Sequence, residues 1–290
     1  MESKTIVIVG GTDGIGRALA NLLVPKNQVL IIGRSEEKGK RFVAESGKNA
    51  HYLTADLSVL NNLPPLVDKI KSLYSEVHHI IHTADILRIK RMETVEGIEI
   101  SIAINFYSRV LFNQLMVGEA NTYQPERIIH VAAAGFGPSE KFLDNFPLPP
   151  TANSFDAHKN GQIANDFYGL LMQRKLSGQG TKINILNPGS VSTDIHKKGE
   201  LPKLLKIFYP LIGRLLIGKR RSPEDYAHIP FNILKNENSE ANNFTLINPK
   251  GKGIKGNKQV NNITTQEKLY EFAKGKINDT LNNRKIKNWL

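Results

Sequence analysis

Cysteine is absent from the 290-residue chain. Its absence excludes disulfides, thiolate nucleophiles and cysteine-bound metals, and points to a cytoplasmic protein. The eight histidines fall in no metal-ligand spacing, so no metal is expected. No basic segment followed by a long apolar run opens the chain, so no secretory signal is expected and the mature protein should begin near Met1. Long apolar runs are also lacking. The longest mainly apolar stretch, residues 201–217, is broken by Lys203, Lys206, Pro210, Gly213 and Arg214, which argues against a membrane-spanning helix. Aromatic-basic interleaving is missing too, so the net charge of +12 implies no nucleic-acid partner. Nine Lys/Arg against three acidic residues give residues 252–290 a charge of +6, half the total, which reads as a solvated helical tail.

What is present is a regular alternation. Short β-branched runs at 5–9, 28–32, 51–54, 79–81, 127–131, 182–186 and 243–247 read as strands, with amphipathic segments between most of them. Repeated βαβ order predicts an α/β fold, a Rossmann-type doubly wound parallel sheet in a single domain over 1–250. Residues 251–290 read as a basic polar extension, partly helical. Ser222-Pro223-Glu224-Asp225 supplies a cap, a proline and first-turn acids, so a helix should start there. Residues 135–153 and 199–221 are the long irregular stretches, both placed after strand C-termini, where such sheets bind ligands.

After the first strand comes Val9-Gly10-Gly11-Thr12-Asp13-Gly14-Ile15-Gly16, leading into a helix expected to begin near Arg17. Glycines at such a turn let the backbone approach a pyrophosphate that faces a helix N-terminus. At the end of the second strand, Ile32-Gly33-Arg34-Ser35 offers no acid for a ribose 2′-hydroxyl, whereas Arg34 can pair with a 2′-phosphate. The spacing Gly10-x-x-x-Gly14-Ile15-Gly16 resembles the fingerprint of the short-chain dehydrogenases/reductases, with Val9 where threonine is usual. The resemblance implies an NADP(H) cofactor held by Gly10, Thr12, Asp13, Gly14, Ile15, Gly16 and Arg34, although Asp13 stands in a loop where NADP-preferring members often carry a basic residue. It continues through Asp56-Leu57 at the adenine, Thr83-Ala84 in His82-Thr83-Ala84-Asp85 where NNAG is usual, and Asn105 on a helix over 97–116. It ends at Pro188, Gly189, Val191 and Thr193, a PGxxxT-like segment over the nicotinamide. Glu96-Gly97-Ile98-Glu99 and Ile163-Ala164-Asn165 are similar to the retinol-dehydrogenase-like branch.

The proton-handling half of that pattern departs from the family. Family members use a Tyr and a Lys one helical turn apart and a Ser that polarises the carbonyl. Counting back ungapped from Pro188-Gly189 places His158 at the Tyr position and Gln162 at the Lys position, and Ala133 stands where the Ser is expected. Tyr168, ten residues further along the helix, is expected to be a packing residue, and Lys159 projects about 100° away from the site. His158 is the remaining candidate acid/base, with Asn105 as a polar anchor.

A lid over 199–221 with apolar side chains suggests a bulky hydrophobic substrate. Its Lys203, Lys206 and the Lys219-Arg220-Arg221 cluster leave peripheral membrane contact through 201–221 open, as is homo-oligomer formation. Three readings stay open at this stage. They are an atypical NADP(H)-dependent oxidoreductase, a non-redox cyclase, isomerase or dehydratase with the cofactor as scaffold, and a catalytically inactive NADP-binding regulatory protein.

Overall fold

The computed structural model describes residues 3–88, 90–117, 123–138, 142, 146, 153–192, 220–236 and 243–281. Strands β1 Thr5–Val9, β2 Gln28–Gly33, β3 Ala50–Thr54, β4 His79–His82, β5 Arg127–Val131, β6 Lys182–Leu186, β7 Leu246–Ile247 and β8 Gly253–Ile254 form one sheet in the order β3-β2-β1-β4-β5-β6-β7-β8. Only β8 runs antiparallel. The doubly wound parallel sheet is therefore as expected, while β7 is two residues long and β8 was not anticipated.

Both sheet faces are buried, as the near-continuous apolar strands require. Val7, Val9, Leu30, Ile32, Ile80 and Ile128 point to one layer, and Ile6, Ile8, Val29, Ile31, Ile81 and Ile129 to the other. Helices α1 Gly14–Leu23, α2 Glu36–Ser46 and α6 Pro223–Lys235 cover the second face. The first is covered by α3 Leu63–Leu73, by α4, which is continuous through Ile100–Ile102, Ala103–Tyr107 and Ser108–Val117, by α5 Ser154–Leu176 and by α7 Ile263–Thr280.

Two helix starts differ from expectation for local reasons. Asp13 caps α1 by accepting from the Gly14 N–H, so the helix begins at Gly14 and not near Arg17. Gly97 takes φ +70 in a turn, and α4 starts only where the Glu99 carboxylate accepts from the Ser101 and Ile102 N–H groups. Ser222 caps α6 as expected, accepting from the Asp225 N–H. Residues 253–281 join the same sheet and core: β8 pairs with β7, and Leu269, Tyr270, Ala273 and Ile277 of α7 are buried against α5 and its neighbours. The Ala103–Tyr107 segment is a π-helical turn, which widens α4 around Asn105.

Candidate active site

At the C-terminal ends of the strands lies a cavity of about 800 Å³ that runs from the glycine turn to α5. Its cofactor-like end is lined by Gly10, Thr12, Asp13, Gly14, Ile15, Arg34, Asp56, Leu57, Thr83 and Ala84, and its other wall by Pro188, Gly189 and Val191. The structure thus brings these sequence-selected residues together. Gly16 is buried behind the turn, and Thr193 and residues 199–219 of the expected lid lie outside the described residues.

The glycine turn is tight enough to exclude side chains. Gly10 adopts φ +97, and a Cβ there would stand 2.3 Å from the Ala84 N; one at Gly16 would stand 2.4 Å from Thr83 Oγ1. These contacts seat the turn on the end of β4 and aim the N-terminus of α1 into the cavity, a geometry suited to a pyrophosphate. Asp13 does not present a bare charge to that space. Its Oδ1 caps Gly14 and its Oδ2 pairs with Lys38, a residue the sequence reading had not selected. The residues present therefore fit a dinucleotide.

At the opposite end, Ala133, His158 and Gln162 line one wall. His158 Nε2 lies 3.0 and 3.2 Å from the two oxygens of Asp85, 73 residues earlier, and Gln162 Nε2 is 3.5 Å from the same ring nitrogen. Burial pulls the His158 pKa down, but the charge and hydrogen bond of Asp85 outweigh it and hold the ring above its ordinary value. Asp85 is pushed up by burial and pulled further down by His158 and then Arg109, so it stays below the usual carboxylate range.

Arg109 lies on α4 behind this pair, 1% exposed, and donates from Nη2 to the Ala84 carbonyl at 2.8 Å. Burial lowers it to about 10, against the opposing charge of Asp85. Asn105 sits in the π-helical turn, fully buried and not on the cavity wall; its carboxamide makes no hydrogen bond but faces Asp85 closely enough to favour the charged form. Tyr168 is 1% exposed in the core, stacked on Tyr270, in keeping with a packing role. Lys159 leaves the wall and places Nζ 5.7 Å from the Phe136 ring centroid.

Asp85, Arg109, Phe136 and Phe155 are the site residues that sequence reasoning passed over. Phe136 and Phe155 are 61% and 64% exposed and stand on the cavity lining, an apolar mouth. A signal existed for two of them: Asp85 is a charge where the resemblance expects glycine, and Arg109 is the single charged residue of α4, one turn after Asn105.

Comparison with known proteins is consistent with this geometry. A family model described as short chain dehydrogenase matches residues 4–141. Human polyprenol dehydrogenase is 23% identical over 206 residues, 67% of this chain and 62% of the relative. Human retinol dehydrogenase 14 is 24% identical over 232 residues, covering 73% of this chain and 69% of the relative. The chain thus matches about two thirds of the length of these curated relatives. A short chain dehydrogenase family protein from Francisella tularensis superposes with a TM-score of 0.61 at 19% identity, covering 86% of this chain and 98% of its own. A short-chain dehydrogenase/reductase from Caenorhabditis elegans, solved with cofactor, gives 0.62 at 20% identity over 80% and 88%. At these identities the two structures share the fold.

Proposed function

The chain belongs to the short-chain dehydrogenase/reductase family, and on that premise we propose that it is an NADP(H)-dependent oxidoreductase in which His158, held by Asp85, supplies the proton that a tyrosine supplies elsewhere. The observation that carries this reading is the His158–Asp85 pair at 3.0 Å on the wall of the cavity that begins at the glycine turn. NADPH, which the Gly10–Gly16 turn and Arg34 would hold, would supply a hydride to the carbonyl carbon. His158 as imidazolium gives its proton to the carbonyl oxygen and is left neutral, while Asp85 orients the ring and Arg109 keeps Asp85 ionised. Ala133 offers no hydroxyl to the oxygen and Gln162 no charge, so this proton relay departs from the Ser/Tyr/Lys arrangement.

Arg34, at the adenine end, supports NADP(H) over NAD(H) through pairing with a 2′-phosphate. The exposed Phe136 and Phe155 and the names of the relatives support an apolar, isoprenoid-type alcohol or aldehyde as substrate. Peripheral membrane contact through 201–221 belongs to the same reading, as a route by which an apolar substrate would arrive.

The test is to incubate the protein with NADPH and a series of isoprenoid aldehydes, following nicotinamide absorbance and product mass together. Stoichiometric cofactor oxidation is expected, lowered on the order of 10²–10⁴-fold in His158→Ala. Product formed with no cofactor consumed would move the site to a non-redox reaction, and turnover unchanged in His158→Ala would remove His158 as the acid.

A further inference from the structure

Behind the substrate cavity lies a second, smaller one of about 170 Å³, on the far side of the turn that follows β5. Its lining includes Gly135, Gly137, Asp166, Ile254, Asn257 and Val260, with Lys255 at the rim. Ala133 and Phe136 face the substrate cavity while Gly135 and Gly137 face this one, so a single turn walls both. The two glycines take φ +77 and +72 and put no side chain into the space.

Asp166 of α5 is the acidic group of this cavity, which it shares with Asn257 and Lys255. It is 1% exposed, and one carboxylate oxygen, Oδ2, accepts from the Gly135 N–H at 2.8 Å. The other, Oδ1, is buried and has no hydrogen-bond partner. Among the described residues no ion pair reaches Asp166. A buried carboxylate oxygen without a donor is expensive to maintain, and native structures rarely keep one without a use. The proton chemistry proposed above does not use it: Asp166 is eight residues beyond His158 on α5, roughly 12 Å by helical rise. Burial, opposed by the Gly135 amide, pushes its carboxyl up to about 7, so the group stands ready to ionise when a donor arrives.

The missing partner has a definite chemistry. It must donate a hydrogen bond, favour the ionised carboxylate and fit a cavity with Ile254 and Val260 on its wall. A divalent metal is a poor candidate, because no cluster of three His, Cys, Asp or Glu occurs among the described residues. An anion would be repelled by Asp166. We propose that this cavity is a second binding site, taking a small primary amine whose ammonium group donates to Asp166 Oδ1. Because Oδ2 holds the turn shared with the substrate cavity, an occupant there also bears on the wall formed by Ala133 and Phe136.

The test is calorimetric titration of the full chain with n-propylammonium chloride, against tetramethylammonium chloride and sodium chloride at equal ionic strength. Saturable binding is expected for propylammonium alone, since tetramethylammonium has no N–H to donate. Asp166→Asn should weaken it at least tenfold, and Lys255→Met, which removes a like charge at the rim, should leave it equal or tighter. Should Asp166→Asn fail to fold, Val260→Phe tests the same point by filling the cavity, with loss of binding expected. Affinity should fall roughly tenfold per pH unit below pH 7 as Asp166 protonates, Lys255 being the other ionisable group on the lining. Titration with Nα-acetyl-lysine methylamide separates two sources of the ammonium: tighter binding than propylammonium points to a lysine side chain of a partner, equal or weaker binding to a free amine. Absence of saturable binding, equal binding of tetramethylammonium, or undiminished binding in a folded Asp166→Asn or Val260→Phe protein would overturn the proposal. So would loss of propylammonium binding in Lys255→Met, since removing a like charge at the rim should not weaken an ammonium held by Asp166. None of these readouts depends on turnover, so the outcome is separate from that of the oxidoreductase test.

Discussion

His158 is subject to two opposed influences, burial that disfavours its charged form and the Asp85 carboxylate that favours it, and the second prevails. If the imidazolium is the acid, carbonyl reduction is constant at low pH and declines as pH rises through the raised pKa. Asp85→Asn removes the favouring charge and leaves burial, so the declining limb should move to lower pH and the rate at pH 7.5 fall by roughly 10-fold or more. A pH profile of kcat checks this, and a limb that stays in place would assign the proton to another group. At the other end of the cavity, Arg34→Ala should weaken NADPH binding by about tenfold or more while leaving NADH little changed, read by calorimetry. The residues behind these two predictions differ in how visible they were. Arg34, Ala133, His158 and Gln162 could be read because each sits at a fixed spacing from a strand end or from Pro188-Gly189. Asp85 and Arg109 could be noticed as odd charges, but their meeting with His158 depends on β4, α4 and α5 converging, which local spacing does not encode.

The elements were legible in proportion to how strongly a single period governs them. β1, β5 and β6 carry uninterrupted β-branched runs and lie at the residues expected, whereas β7 is limited by the two residues that find register with Ile185 and Leu186. The π-helical turn in α4 had no local sign, since its register is tied from outside: Asn165 Nδ2 donates to the Asn105 carbonyl at 2.9 Å and to the Gly161 carbonyl at 2.8 Å. α7 teaches the opposite lesson. Its charge drew attention to the exposed side, yet Gln266, Leu269, Tyr270, Ala273 and Ile277 make an i, i+3, i+4, i+7, i+11 stripe that is buried. Leu269 is 1% exposed in the main core. Leu269→Ala should therefore cost about 2–5 kcal/mol, a core value, measured by urea denaturation. A loss under 0.5 kcal/mol would mean that this helix is docked too loosely to count as part of the domain.

For the molecule as a whole, the feature that couples sheet to helices is a buried polar chain. His82 Nε2 donates to Asn113 Oδ1 at 2.8 Å, Asn113 Nδ2 to His130 Nε2 at 3.0 Å, and His130 Nδ1 to Asn165 Oδ1 at 2.9 Å. The directions follow from Asn165, whose amide donates onward to two carbonyls and so must accept from His130 with its oxygen. His130, whose Nε2 accepts, must then be neutral, and the chain ties β4 and β5 to α4 and α5 only while it remains so; His82 donates from Nε2 in either state and is kept neutral by its burial. Burial lowers His82 to about 3 and His130 well below its ordinary value, and it lowers His79, at the start of β4, to about 3. The sign follows from proton counting. Below pH 6.5 the unfolded chain binds protons that the native chain refuses, so stability is full above pH 6.5 and is lost as pH falls toward 3. At pH 5 the loss is about 2 kcal/mol for each of His79 and His82, with His130 adding in the same direction. Set against the ~5–15 kcal/mol that holds a typical domain together, this is a large fraction. Asp166, raised to about 7, and His158, raised above its ordinary value, work in the opposite direction as pH falls, so thermal denaturation by circular dichroism should show a Tm lower at pH 5 than at pH 8 but by less than the three histidines alone would give, with net proton uptake on unfolding at pH 5. A Tm that is flat across that range would mean that these imidazoles accept protons in the native state and that the chain of hydrogen bonds reorganises without cost.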